Sequence, residues 1–182
     1  MSVFIVLLRA IGPVTHKVMS MAQWREAVVA EGFEAPETYV ATGNMIVAGD
    51  GTPAAVTRRM DRIVHALGLG PGNKAVVRLP GQLRTLLRAN PFPEAALERP
   101  SEIGVYFFAG AEPDFTWTGD YQGPERIHVE GRHLIVDYDG RGSSSRLPGI
   151  IEKKSGLVTA RNWNTLRGLV ERAAAYKPSG NT

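Results

Sequence analysis

The sequence predicts an α+β protein: a ferredoxin-like split βαββαβ unit in the N-terminal half, followed by a second, smaller α+β half. Three observations carry this. The first 80 residues alternate apolar runs and amphipathic stretches in the order β-α-β-β-α-β. Both helical stretches open on a capping residue. The two middle strands are joined through Gly43-Asn44, a hairpin-turn signal.

The elements follow in order. "VFIVLLR" (3–9) is a continuous apolar run, as expected of a strand covered on both faces. No basic segment precedes it and Arg9 ends it, so it reads as a buried strand rather than a signal peptide. A helix starts at Ser20, where Ser20 and Gln23 make a capping box, and Gly32 is placed to stop it. "TYVAT" (38–42) and "MIVA" (45–48) are the hairpin strands. Thr52-Pro53 opens a second helix, and Val56, Met60, Ile63, Val64 and Leu67 form its apolar stripe. "KAVVRL" (74–79) closes the unit.

The second half starts with a helix around 82–89, ended by "NPF" (90–92) because the residue before proline disfavours helix. After an acidic connection, "IGVYFF" (103–108) reads as a buried strand. "RIHVE" (126–130) and "HLIVDY" (133–138) form a hairpin across Gly131-Arg132. A Gly/Ser loop (139–146) leads to a helix at 147–155, and the last helix runs from about Trp163 to Tyr176. The expected organisation is a subdomain of residues 1–80, a second of 81–177 packed on it, and a mobile tail of 178–182.

With 43% hydrophobic and 21% charged residues the chain reads as soluble and globular. It has no cysteine, which excludes disulfides, thiolate nucleophiles and cysteine metal sites and suits a cytoplasmic setting. No apolar run approaches the ~18 residues of a membrane helix, so no membrane partner is expected. Net charge is +3 but unevenly spread. Residues 81–130 carry four basic and eight acidic side chains, whereas residues 131–182 carry nine and four. A basic C-terminal third attracts phosphates or nucleic acid, although solvated Lys and Arg on helix faces give the same count.

Two segments in that third carry the candidate binding residues. In "TARNWNT" (159–165), Asn162 is placed to cap the last helix and Trp163 to enter the core. Capping does not require Arg161 or Asn164 as well. Free amides at a helix start attract anions, and a neighbouring guanidinium adds donors, so Arg161, Asn162, Asn164 and Thr165 form a candidate anion site. In "GRGSSSR" (140–146), the glycines permit close backbone approach, while Arg141 and Arg146 flank a second helix entrance. This is not a Walker loop, and no cofactor is expected. His128 and His133 share a hairpin face with Glu130 between them, but two ligands on an exposed ribbon make a poor metal site and none is expected. No histidine has a Ser or Cys partner at a recognisable spacing, so no catalytic residue is assigned.

At "TARNWNT", and at "LLR" (7–9), "GFEAPETYVATGNMIV" (32–47), "VVR" (76–78) and "NPF", the chain resembles the bacterial family called domain of unknown function 1697. The resemblance implies a soluble, ferredoxin-like α+β protein and no particular reaction. It adds Arg9 and Asn44 to the candidate residues and also marks Thr42, Gly43, Arg78, Asn90, Pro91, Phe92 and Thr159. Where the family continues "LLRGIN-x-GG", this chain has "LLRAIGPVTHKV", so a ligand contact made by that turn is altered or lost here. In a ferredoxin-like unit the first and last strands are expected to lie centrally and side by side, bringing Arg9 and Arg78 near one sheet edge. Three readings stay open: a protein that binds a phosphorylated small molecule, nucleotide or nucleic acid; an enzyme acting on a small anionic metabolite; and TARNWNT as a packing motif alone.

Overall fold

The computed structural model describes residues 1–110 and 112–178. The chain divides into one unit of Met1–Arg84 with Leu169 onward, and a second of Thr85–Gly168. The last helix is therefore shared between them, not confined to the second half. All of the 178–182 tail except Pro178 lies outside the described residues.

In the first unit, β1 (Ser2–Leu8), β2 (Glu34–Thr38), β3 (Asn44–Gly49) and β4 (Ala75–Arg78) form an antiparallel sheet in the order β2-β3-β1-β4. The short α1 (Pro13–His16) and α2 (Met21–Ala30) connect β1 to β2, and α3 (Pro53–Ala66) connects β3 to β4. This is the split βαββαβ arrangement. Phe4, Val6 and Leu8 alternate onto the face that packs Trp24 and Val28 of α2 and Val56, Met60 and Val64 of α3. Both caps form: Ser20 Oγ accepts from the Gln23 amide at 3.1 Å, and Thr52 Oγ1 from the Ala55 amide at 3.2 Å.

Two details depart from expectation. β1 and β4 pair as expected, but β4 is an edge strand, and the central strands are β1 and β3. The strand before the hairpin occupies 34–38, not 38–42. Pro36 cannot donate to a ladder, but this is an edge strand with a register shift between Glu34 and Glu37, where proline is tolerated. The Tyr176 hydroxyl donates to the carbonyls of Glu34 and Ala35, both at 3.0 Å, and fixes the irregular segment. The turn is consequently longer, and at Gly43 (φ +82°) an added Cβ would come within 2.8 Å of Ile11.

The second unit repeats the topology. β5 (Ile103–Phe108), β6 (Arg126–Glu130), β7 (His133–Asp137) and β8 (Val158–Asn162) are ordered β6-β7-β5-β8, all antiparallel. A 3-10 turn at Thr116–Asp120 stands where the first unit has its first helix, and α6 (Leu147–Ser155) precedes β8. Tyr106, Phe108, Leu134, Val136, Tyr138 and Val158 pack with Leu147 and Ile151 of α6 on one face of the sheet. The helix at 80–89 is α4, and α5 (Pro93–Glu98) forms within the stretch expected to be a connection. β8 was not foreseen as a strand. It runs directly into α7 (Trp163–Ala175).

Candidate ligand-binding cleft

The strand that sequence patterning misses decides what TARNWNT can do. In β8 the register opposes Asn162 to Gly104, Arg161 to Val105 and Thr159 to Phe107. Alternation therefore sends Thr159 and Arg161 to one face, and Ala160 and Asn162 to the other. Arg161 is only 8% exposed, and its Nη1 donates to Thr159 Oγ1 at 2.6 Å and to the Ala160 carbonyl at 2.9 Å. Burial lowers its pKa to about 10, so it stays charged at neutral pH. The residue borders a cleft, but its guanidinium is buried and bonded to Thr159 and the Ala160 carbonyl.

The sheet face that also packs α6 carries a cleft at its end, of about 380 Å³, bordered by Ser101, Glu102, Gly104, Tyr138, Gly140, Gly142, Ser143, Ala160, Arg161 and Asn162. The Gly/Ser loop and the end of β8, 16 positions apart between Ser143 and Thr159 in sequence, thus meet at one place. Gly104 is required here, because a Cβ would lie 3.1 Å from the Tyr106 ring and 3.2 Å from the Tyr138 ring. The Tyr106 and Tyr138 hydroxyls are hydrogen-bonded to each other, and burial pushes both phenols up.

The polar groups fall into two sets. Asn162 caps α7, its Oδ1 accepting from the Thr165 amide at 2.9 Å. Its Nδ2 has no hydrogen-bond partner among the described residues. The amides of Gly142 and Ser143 and the Ser143 hydroxyl likewise have none. These are donors. On the other side Glu102 accepts from the Gly140 amide at 2.6 Å through Oε2, which also lies 3.6 Å from Arg99 Nε.

The α6 entrance is closed to a ligand. Ser145 Oγ accepts from the Leu147 amide at 3.1 Å, and the same hydroxyl donates to Glu125. Glu125 is 8% exposed and takes the Tyr121 hydroxyl on its other oxygen at 2.6 Å. An internal carboxylate thus already faces this helix start, where negative charge is favoured. Burial raises the Glu125 pKa, but the bonds from Ser145 and Tyr121 outweigh it and hold the carboxyl below its ordinary value. The same carboxylate helps push Tyr121 up to about 12.

The remaining expected site residues lie elsewhere. Asn164 and Thr165 do not border the cleft, and Asn164 is exposed. Arg141 pairs with Asp139 at 3.4 Å, and Arg146 is exposed ahead of α6. Arg9 and Asn44 belong to the first unit. Arg9 Nη1 donates to the Gly72 carbonyl at 3.1 Å, and Asn44 Nδ2 donates to the Tyr39 carbonyl at 3.0 Å and to Thr42 Oγ1 at 2.9 Å, bracing the hairpin. His128 Nε2 lies 2.9 Å from Glu130, while His133 is buried edge-on against Phe107 at 5.4 Å. Among the described residues no group of three or more metal-type side chains occurs, and no helix is long and apolar enough to cross a membrane.

The family model described as "Protein of unknown function (DUF1697)" matches residues 1–134. No curated protein matches the chain. Among solved structures, the conserved bacterial protein SP0830 from Streptococcus pneumoniae is similar, with a TM-score of 0.72 at 15% identity over 96% of this chain and 99% of that one. At that identity the likeness is one of fold.

Proposed function

The chain belongs to the DUF1697 family, and we propose that it binds a small phosphorylated ligand in the cleft of its second unit. The observation that carries this reading is the pair of consecutive amides at Gly142 and Ser143, unpartnered beside the Asn162 Nδ2 at a cleft of about 380 Å³. Successive backbone donors in a glycine-bearing turn suit phosphate oxygens. Arg141, exposed on the same loop, adds positive charge without sealing the site. Nucleic acid fits less well, since single strands are held by stacking on aromatic faces and the ring that borders this cleft, Tyr138, is 6% exposed. A bacterial cytoplasm, where such metabolites occur and cysteines stay reduced, is part of the same proposal.

Asn162→Asp separates binding from folding. Aspartate keeps the capping oxygen and adds favourable charge at the helix start, but removes the Nδ2 donors and repels phosphate. Thermal stability is expected to hold while affinity for a phosphorylated ligand falls about tenfold or more. Asn162→Ala, in contrast, is expected to cost about 1 kcal/mol of stability through the lost cap. Calorimetric titration with both variants reads the two effects. Equal affinity in wild type and Asn162→Asp contradicts the reading.

A further inference from the structure

Resting on the phosphate-binding reading, we infer that the ligand is a sugar phosphate, with Glu102 accepting hydrogen bonds from its hydroxyl groups. The cleft has two chemically opposed sides. Gly142, Ser143 and Asn162 offer donors, which suit phosphate oxygens. Glu102 offers only acceptors, and an ionised phosphate has almost nothing to donate to a carboxylate. Its Oε2 is held by the Gly140 amide at 2.6 Å and sits 3.6 Å from Arg99, while Oε1 has no hydrogen-bond partner among the described residues. The carboxylate is thus fixed in direction and still able to accept. Ser101, next to it at the cleft, has a hydroxyl that can both donate and accept and has no partner among the described residues.

The ligand must therefore carry O–H groups within reach of its phosphate. A nucleobase is a poorer match, because the ring that borders the cleft, Tyr138, is only 6% exposed and offers little face to stack on. A hydroxyl bonded to a carboxylate is a charge-assisted contact, stronger than a neutral one.

The test compares ribose 5-phosphate, glucose 6-phosphate, inorganic phosphate and adenosine 5′-monophosphate by calorimetry on the full chain, using wild type, Glu102→Gln and Ser101→Ala. The expected result is that at least one sugar phosphate binds about tenfold or more tighter than inorganic phosphate. That advantage should shrink in both variants while binding of inorganic phosphate persists. Ser101→Ala keeps the inference testable should Glu102→Gln disturb the Gly140 turn. Sugar phosphates binding no tighter than inorganic phosphate, or the mononucleotide exceeding both sugars, overturns the inference and leaves the phosphate site standing. Binding by none of the four removes the phosphate reading itself.

Discussion

Asp137→Ala is expected to lower stability by about 3 kcal/mol, a fall of about 10 °C in melting temperature for a chain of this size. The side chain is fully buried, yet it ends β7 beneath two guanidiniums. Arg99 Nη2 donates to its Oδ2 at 2.8 Å and Arg126 Nη2 at 2.5 Å, while the Asp139 amide donates to Oδ1 at 3.0 Å. Removing the carboxylate leaves those donors without their acceptor in a site partly shut off from water. Arg126 is largely exposed and can rehydrate, and Arg99 retains Glu102 and Asp139, which keeps the estimate at the low end for a buried pair. Burial pushes the Asp137 carboxyl up, but the two arginines and the amide outweigh it and hold the pKa below its ordinary value. With the folded value depressed, this contribution is present above the ordinary carboxylate range and lost as pH falls through the folded value. Glu125 is shifted the same way. Acid unfolding followed by circular dichroism should therefore show a smaller pH dependence in Asp137→Ala than in wild type. Equal stability of the two proteins at pH 7 contradicts this account of the site.

Trp163→Ala should be at least as costly, about 4 kcal/mol from lost transfer energy plus the cavity left behind. The indole is 2% exposed at the first turn of α7, immediately after the Asn162 cap. Trp163→Phe, which keeps most of the volume, should recover more than half of that loss in a denaturant melt. A small effect of Trp163→Ala would mean that the helix start is not anchored by this ring. These variants also separate the roles within TARNWNT. Thr159, Arg161 and Trp163 are buried, while Ala160, Arg161 and Asn162 border the cleft. Burial and exposure to the cleft are thus unevenly shared along one motif.

That division explains how far the sequence could be read. Capped, amphipathic helices were legible because their signals are local: Ser20 and Gln23, Thr52 and Pro53, and Asn162 with Thr165 each lie within one turn. The hairpin at 126–137 was legible from its alternation and its glycine turn. β8 was not, because two of its three buried positions are Thr159 and Arg161, polar residues that mimic a loop, and because no turn separates it from α7. The Gly/Ser loop was noticed for the right backbone freedom, but its helix entrance is already occupied by Glu125 from 20 residues upstream of Ser145. Nothing local to Glu102 shows that it will meet Gly140, 38 residues away. Such partners are set by the order of strands in the sheet.

The most direct test of the phosphate-binding cleft is a titration of isotope-labelled protein with ribose 5-phosphate, followed by amide and side-chain NMR resonances. Saturable shifts led by the Gly142 and Ser143 amides and the Asn162 Nδ2 protons, weakening as salt is raised, are the predicted result. Shifts confined to other residues, or none at millimolar ligand and low ionic strength, would contradict it.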